Sequence, residues 1–173
     1  MKFFHEVKDI KAMASKDIRK VSKGFENAQN DVKAARHIDT IRQDLDGKTY
    51  PGTEVAYKKH TFRLEGEKVE GVFPVFQSKF DVRLPPDLRL ASDTEQFKYC
   101  TRRLGEQIER YPSLAEKFTP RQLEQIKAGE PRISGLTWHH NELPGKMQLV
   151  DAKEHRCPHT GGRSIWGGGA DNR

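Results

Sequence analysis

Apolar residues in the first 45 positions recur at helical spacing. Phe3, Val7, Ile10, Ala14, Ile18, Val21 and Phe25 step by four and three along one helical stripe, with Lys8, Lys11, Lys16 and Lys20 off it. Gly24 weakens or ends that helix, and Val32, Ala35, Ile38, Ile41 and Leu45 form a second amphipathic stretch. The pattern predicts an N-terminal helical segment over residues 1–45. The turn-rich run DLDGKTYPG, residues 44–52, then marks a boundary, with one domain over 46–173.

Beyond that boundary the apolar period changes. EVAYKKHTFRLEG reads as a short hairpin with Val55, Tyr57, Phe62 and Leu64 inward. GVFPVFQSKFDVRL is rich in aromatic and β-branched residues, and Pro74 makes it an edge strand or one broken by a bulge. Pro85 and Pro86 end it. Three helix starts follow at capping-box spacing: Ser92 with Glu95, Ser113 with Glu116, and Thr119 with Gln122. Pro120 fits the first turn of the last helix, and Gly129 is its stop. Thr137–His140 reads as extended, Pro144-Gly145 reverses the chain, and Met147–Val150 returns. Asp151 stands three residues before Glu154, which predicts a further helix start that Pro158 keeps short or kinked. The elements together give an α+β fold: small antiparallel strands, surrounding helices and an N-terminal helical extension.

Composition adds limits. With 34% hydrophobic and 32% charged residues among 173, only a modest core is expected. No apolar run approaches the ~20 residues needed to cross a bilayer, and MKFFHEVKDIKAM places acids and lysines where a signal peptide needs an apolar core. A net charge of +6 and a pI of 9.3 suit a phosphate-rich partner, although acids and bases are interspersed. Two cysteines, Cys100 and Cys157, make no disulfide framework and point to a reduced compartment.

The chemistry concentrates in residues 136–169, LTWHHNELPGKMQLVDAKEHRCPHTGGRSIWGGG, which hold four of the seven histidines. His5, His37 and His60 are scattered and read as ordinary exposed side chains. Adjacent strand residues face opposite ways, so His139 and His140 have different jobs: one binds a metal, the other addresses a water or a phosphodiester. A neutral imidazole ligates a divalent ion, and a free one takes a proton near neutral pH. His155 and His159 are the further ligand candidates. Gly161-Gly162 and Gly167–Gly169 admit a nucleic-acid backbone closely, with Arg163 on phosphate. A rival reading is a structural zinc module that recruits Cys157 as a ligand and binds nucleic acid without cutting it. Trp138 and Trp166 read as local core.

The run TWHH…MQLVD…H…HTGG…IWGGG resembles the WHH-type nucleases of the HNH/endonuclease VII (His-Me finger) superfamily, toxin domains at the ends of bacterial polymorphic toxins. GVFPVF, SDTEQF and LAEKFTPRQLEQI extend the resemblance to roughly residues 38–169. It implies a ββα-metal core and metal-dependent cleavage of DNA, with RNA as the alternative substrate. By similarity to colicin-type DNases, His140 matches the general base, and His139, His155 and His159 match the ligands of a divalent ion. Zinc, nickel or manganese suits three imidazoles, while magnesium prefers oxygen. Gln148 stands where that pattern carries an asparagine orienting the base-bearing loop, and Pro158 departs from the smoother colicin-type helix. A toxin further implies an immunity (inhibitor) protein as partner. It also implies action in bacterial cytoplasm, after secretion or delivery to a target cell.

Overall fold

The computed structural model describes residues 34–172. The helix expected over residues 3–25 lies outside them. The described chain is a mixed α+β fold built on two three-stranded sheets with few helices.

The first sheet has the order β1-β3-β2. β2 (Ala56–Leu64) and β3 (Glu67–Val75) form an antiparallel hairpin in unbroken register, from Ala56↔Val75 to Leu64↔Glu67. Its turn is Glu65-Gly66, both at positive φ (51° and 85°), the two-residue type I′ geometry that matches strand twist. EVAYKKHTFRLEG is therefore one strand of a longer hairpin rather than a hairpin of its own. Val55, Tyr57 and Phe62 are buried, and Leu64 is half-buried. β1 (Arg36–His37) pairs in parallel with Val69 and Glu70 only. From Gly71 onward that side of β3 is an edge, which is where Pro74 sits, without a bulge.

β1 changes the reading of the second amphipathic stretch. Residues 34–45 are not helical; they form β1 and a 3-10 turn, Gln43–Leu45, and Leu45 enters the core. The β1–β3 pairing and Leu45 tie residues from before position 46 to the sheet that follows it.

The second sheet has the order β4-β6-β5, all antiparallel: β4 (Phe80–Arg83), β5 (Leu136–His140) and β6 (Lys146–Asp151). Its two faces have different partners. Val82, Leu136, Trp138, Met147 and Leu149 pack against helix α1 (Asp93–Arg110) and helix α2 (Pro120–Lys127) through Cys100, Leu104 and Ile126. Trp138 is fully buried there, its Nε1 donating to Thr101 Oγ1 at 3.1 Å. On the other face Val150 joins Tyr57, Val72, Phe76 and Cys157 in a core between the two sheets.

Both helices start on reciprocal capping boxes, Ser92 with Glu95 and Thr119 with Gln122, and Gly129 follows α2 in the left-handed region. Ser113 caps nothing: Pro112 opens a 3-10 helix, Pro112–Lys117, whose cap residue is Tyr111. Among the described residues no helix is long and apolar enough to cross a membrane.

Candidate metal centre and the histidine opposite it

The pair His139-His140 ends β5, just before a loop that reverses at Gly145 (φ 76°). Strand alternation sends the two imidazoles to opposite faces of the second sheet. His139 points towards the inter-sheet core, and His140 towards α1.

The structure brings His139, His155 and His159 together, with one ligand nitrogen from each lying within 4.8 Å of the others. The chain between the last two does not run as an α-helix. Asp151 Oδ1 accepts from the backbone N–H groups of Lys153 and Glu154 at 2.8 and 3.1 Å, starting a single 3-10 turn, Glu154–Arg156. Pro158 then denies the turn a donor and holds Cys157 extended (φ −59°, ψ 136°). The proline thus ends the turn and lets His159 fold back beside His155. Tyr57 fixes the bend from the first sheet, its hydroxyl donating to the Pro158 carbonyl at 2.5 Å. Ile41 N–H donates to Thr160 Oγ1 at 2.9 Å, holding the next residue.

The donor set fits a divalent ion. His139 Nδ1 and His155 Nε2 are 3.1 Å apart; ligand bonds of about 2 Å set tetrahedral nitrogens roughly 3.3 Å apart. His159 Nδ1 donates to the Cys157 carbonyl at 2.7 Å, so its Nε2 carries the lone pair. Burial lowers the pKa of all three rings. It takes His155 down to about 4, and the charges of His159 and His155 add to the depression at His139. Neutral imidazoles with available lone pairs are the result. Phe76 packs its ring against all three, with centroids 4.8–5.5 Å away, and seals the cluster from the first sheet.

Cys157 is not in the group. Its buried thiol is held above the usual range, chiefly by desolvation, and lies against Tyr57. With its sulfur outside that cluster, Cys157 does not supply the fourth donor that the structural zinc reading needs. Three protein ligands are one short of a closed structural site.

His140 is 8% exposed, between Phe97 and Trp166. Its Nε2 lies 2.6 Å from Gln96 Oε1 and 3.7 Å from Asp93 Oδ1, both on the first turns of α1. Asp93 Oδ1 is also 3.0 Å from Arg163 Nη2. Arg163 itself is buried, its guanidinium donating to the carbonyls of Gly167 and Ala91, each at 3.0 Å. The arginine expected on phosphate is instead engaged inside the protein.

Gln148 pairs across the hairpin with His139. Its Oε1 accepts from Asn141 Nδ2 at 3.0 Å, and Asn141 Oδ1 accepts from Leu143 N–H at 3.1 Å. Trp166 Nε1 donates to the Asn141 carbonyl at 2.8 Å. The loop following the paired histidines is therefore braced by a glutamine, an asparagine and an indole. Gly162 makes this possible, because a Cβ there would fall 2.1 Å from the Asn141 carbonyl oxygen. His60, read as merely exposed, bonds Glu142 in the same loop at 2.5 Å.

Phe76, Gln96, Asp93 and Asn141 escaped the sequence reading, and Tyr57 entered it only as an inward core residue. Asn141, next to the pair, offered a signal by position. The others reach the site from elsewhere in the fold and offered none.

A family model described as the DNase/tRNase domain of colicin-like bacteriocin matches residues 65–161, just over half the chain. The matched span includes all four clustered histidines. No curated protein and no solved structure matched.

Proposed function

The chain belongs to the DNase/tRNase domain family of colicin-like bacteriocins, a family of nuclease toxins, and from that premise we propose that it is a metal-dependent endonuclease of the WHH-type HNH (His-Me finger) class that hydrolyses DNA. The observation that carries this reading is the division of the paired histidines: His139 joins two other neutral imidazoles, while His140 turns to a separate polar pocket.

His139, His155 and His159 would hold the divalent ion, which would supply positive charge beside the scissile phosphate. His140 takes a proton from water. The water oxygen forms the new bond to phosphorus, the bond to the leaving nucleotide oxygen breaks, and that oxygen takes a proton from solvent. Asp93 lies where it offsets the charge His140 acquires, and Arg163 holds Asp93 in place. Gln148 orients the base-bearing loop through Asn141. The nuclease unit is taken as residues 46–173 with 1–45 as an added segment, of which β1 and Leu45 pack onto that unit. A toxin of this kind requires an inhibitor protein in the cell that makes it.

Purified protein is expected to nick or cut supercoiled plasmid only with a divalent ion. His140→Ala abolishes cleavage while titration calorimetry still registers metal binding, whereas His155→Ala loses the metal. Full activity in His140→Ala removes it as the base. The family description also covers tRNases, so the same assay run on tRNA decides the substrate: faster cleavage of tRNA than of plasmid overturns the DNA assignment. Normal growth of cells expressing the wild-type gene alone contradicts the toxin–inhibitor pairing.

A further inference from the structure

Gln96 lies fully buried in the first turns of α1, and three contacts fix which way its amide faces. Its Nε2 donates to the carbonyl of Leu88 at 2.8 Å and to that of Arg89 at 2.9 Å. A flipped amide would aim its oxygen at two carbonyl oxygens and leave buried groups unpaired, at a cost of roughly 1–3 kcal/mol each. The orientation is therefore determined, and Oε1 faces His140 Nε2 at 2.6 Å.

An amide oxygen only accepts, so the imidazole nitrogen opposite it must carry the hydrogen. Asp93 Oδ1, 3.7 Å from the same nitrogen, favours a proton there as well. A neutral imidazole holds one hydrogen, so the lone pair of His140 resides on Nδ1. We propose that Gln96 is a positioning residue that locks His140 in the Nε2–H tautomer and thereby designates Nδ1 as the atom that accepts the proton from water. The inference rests on His140 being the general base, but the tautomer itself is a property of the resting protein. Relay through a buried side chain on another element differs from a base held by its own strand. It ties the base to the capped start of α1 and to the Leu88–Arg89 turn.

Nitrogen-15 NMR of the full chain, labelled in histidine, tests it at a pH where the His140 ring is neutral. His140→Ala supplies the assignment. Wild-type protein is expected to show a pyrrole-like Nε2 and a pyridine-like Nδ1 at His140; the reverse pattern overturns the proposal. In Gln96→Met, which keeps the length and removes the acceptor, the Nε2–H share is expected to fall. With it kcat drops by roughly 10- to 100-fold, while KM and metal affinity stay near wild type. A Gln96→Met protein with the wild-type tautomer and wild-type kcat also overturns it. If Gln96→Met does not fold, the wild-type spectrum still decides. A wild-type Nε2–H signal combined with an active His140→Ala would instead refute the base assignment and leave the tautomer lock standing.

Discussion

Gly162→Ala is the sharpest probe of how the loop after the paired histidines is held. Trp166 Nε1 donates to the Asn141 carbonyl at 2.8 Å. A Cβ on residue 162 would stand 2.1 Å from that oxygen and 2.3 Å from that nitrogen, inside the hydrogen bond itself. Either the carbonyl or the indole must retreat by about 1 Å, because neither is the end of a flexible side chain. The indole is half-buried and the carbonyl belongs to a buried residue, so breaking their bond costs about 1–2 kcal/mol, and the overpacking adds about as much again. A loss of about 2–4 kcal/mol is expected. With a urea m-value of roughly 2 kcal/mol/M, the unfolding midpoint falls by about 1–2 M. Cleavage should fall further than the unfolded fraction explains, because Asn141 directly follows His140. A midpoint within error of wild type would show that the Trp166–Asn141 contact is wrong and that the loop is held in some other way.

Three further outcomes follow from the same structure. Gly105→Ala, inside α1 with its Cβ at ordinary contact distances of 3.6–3.7 Å from Ile126, is expected to stabilise the protein by ~0.5–1 kcal/mol in the same urea assay. Phe76→Ala empties the space against three imidazoles and is expected to cost ~3 kcal/mol, with weaker metal binding by calorimetry. Metal-free protein is expected to lose stability as pH falls from about 6.5 towards about 4. In that window the unfolded chain binds protons that the folded His155, whose pKa is lowered from 6.5 to about 4, refuses. His155 alone accounts for about 3 kcal/mol of the loss, which thermal melts in the presence of chelator across that range would measure.

What the sequence revealed and what it concealed divides along physical lines. Local chemistry was legible: the capping boxes of Ser92 and Thr119, the stop at Gly129, the reversal at Gly145 and the opposed faces of His139 and His140 all follow from nearest neighbours. Residues 34–45 misled because their apolar spacing suits a helix, yet Arg36 and His37 find a parallel partner in β3, some thirty residues away. Tertiary pairing overrode the local period. Pro158 was read as a defect in a helix, although it directs the chain that carries His159. The sequence puts Arg163 on phosphate and gives Gln96 no role, since what both do depends on groups brought by α1 and the turn before it. Glycine runs suggested an open phosphate path, whereas Gly162 is required by a carbonyl and an indole packed against it.

The Tyr57 hydroxyl bonded to the Pro158 carbonyl has a bearing on assembly as well as on shape. It joins the first hairpin of the described chain to the last bend before His159, across 101 positions of sequence. Of the three metal-ligand candidates, one rides on the second sheet and two on a short tether that the first sheet must pin down. The second hairpin alone would present His139 with no companions. The three imidazoles therefore converge only where the first sheet has docked on the bend that carries His155 and His159, so the connectivity itself ties the cluster to the completed fold.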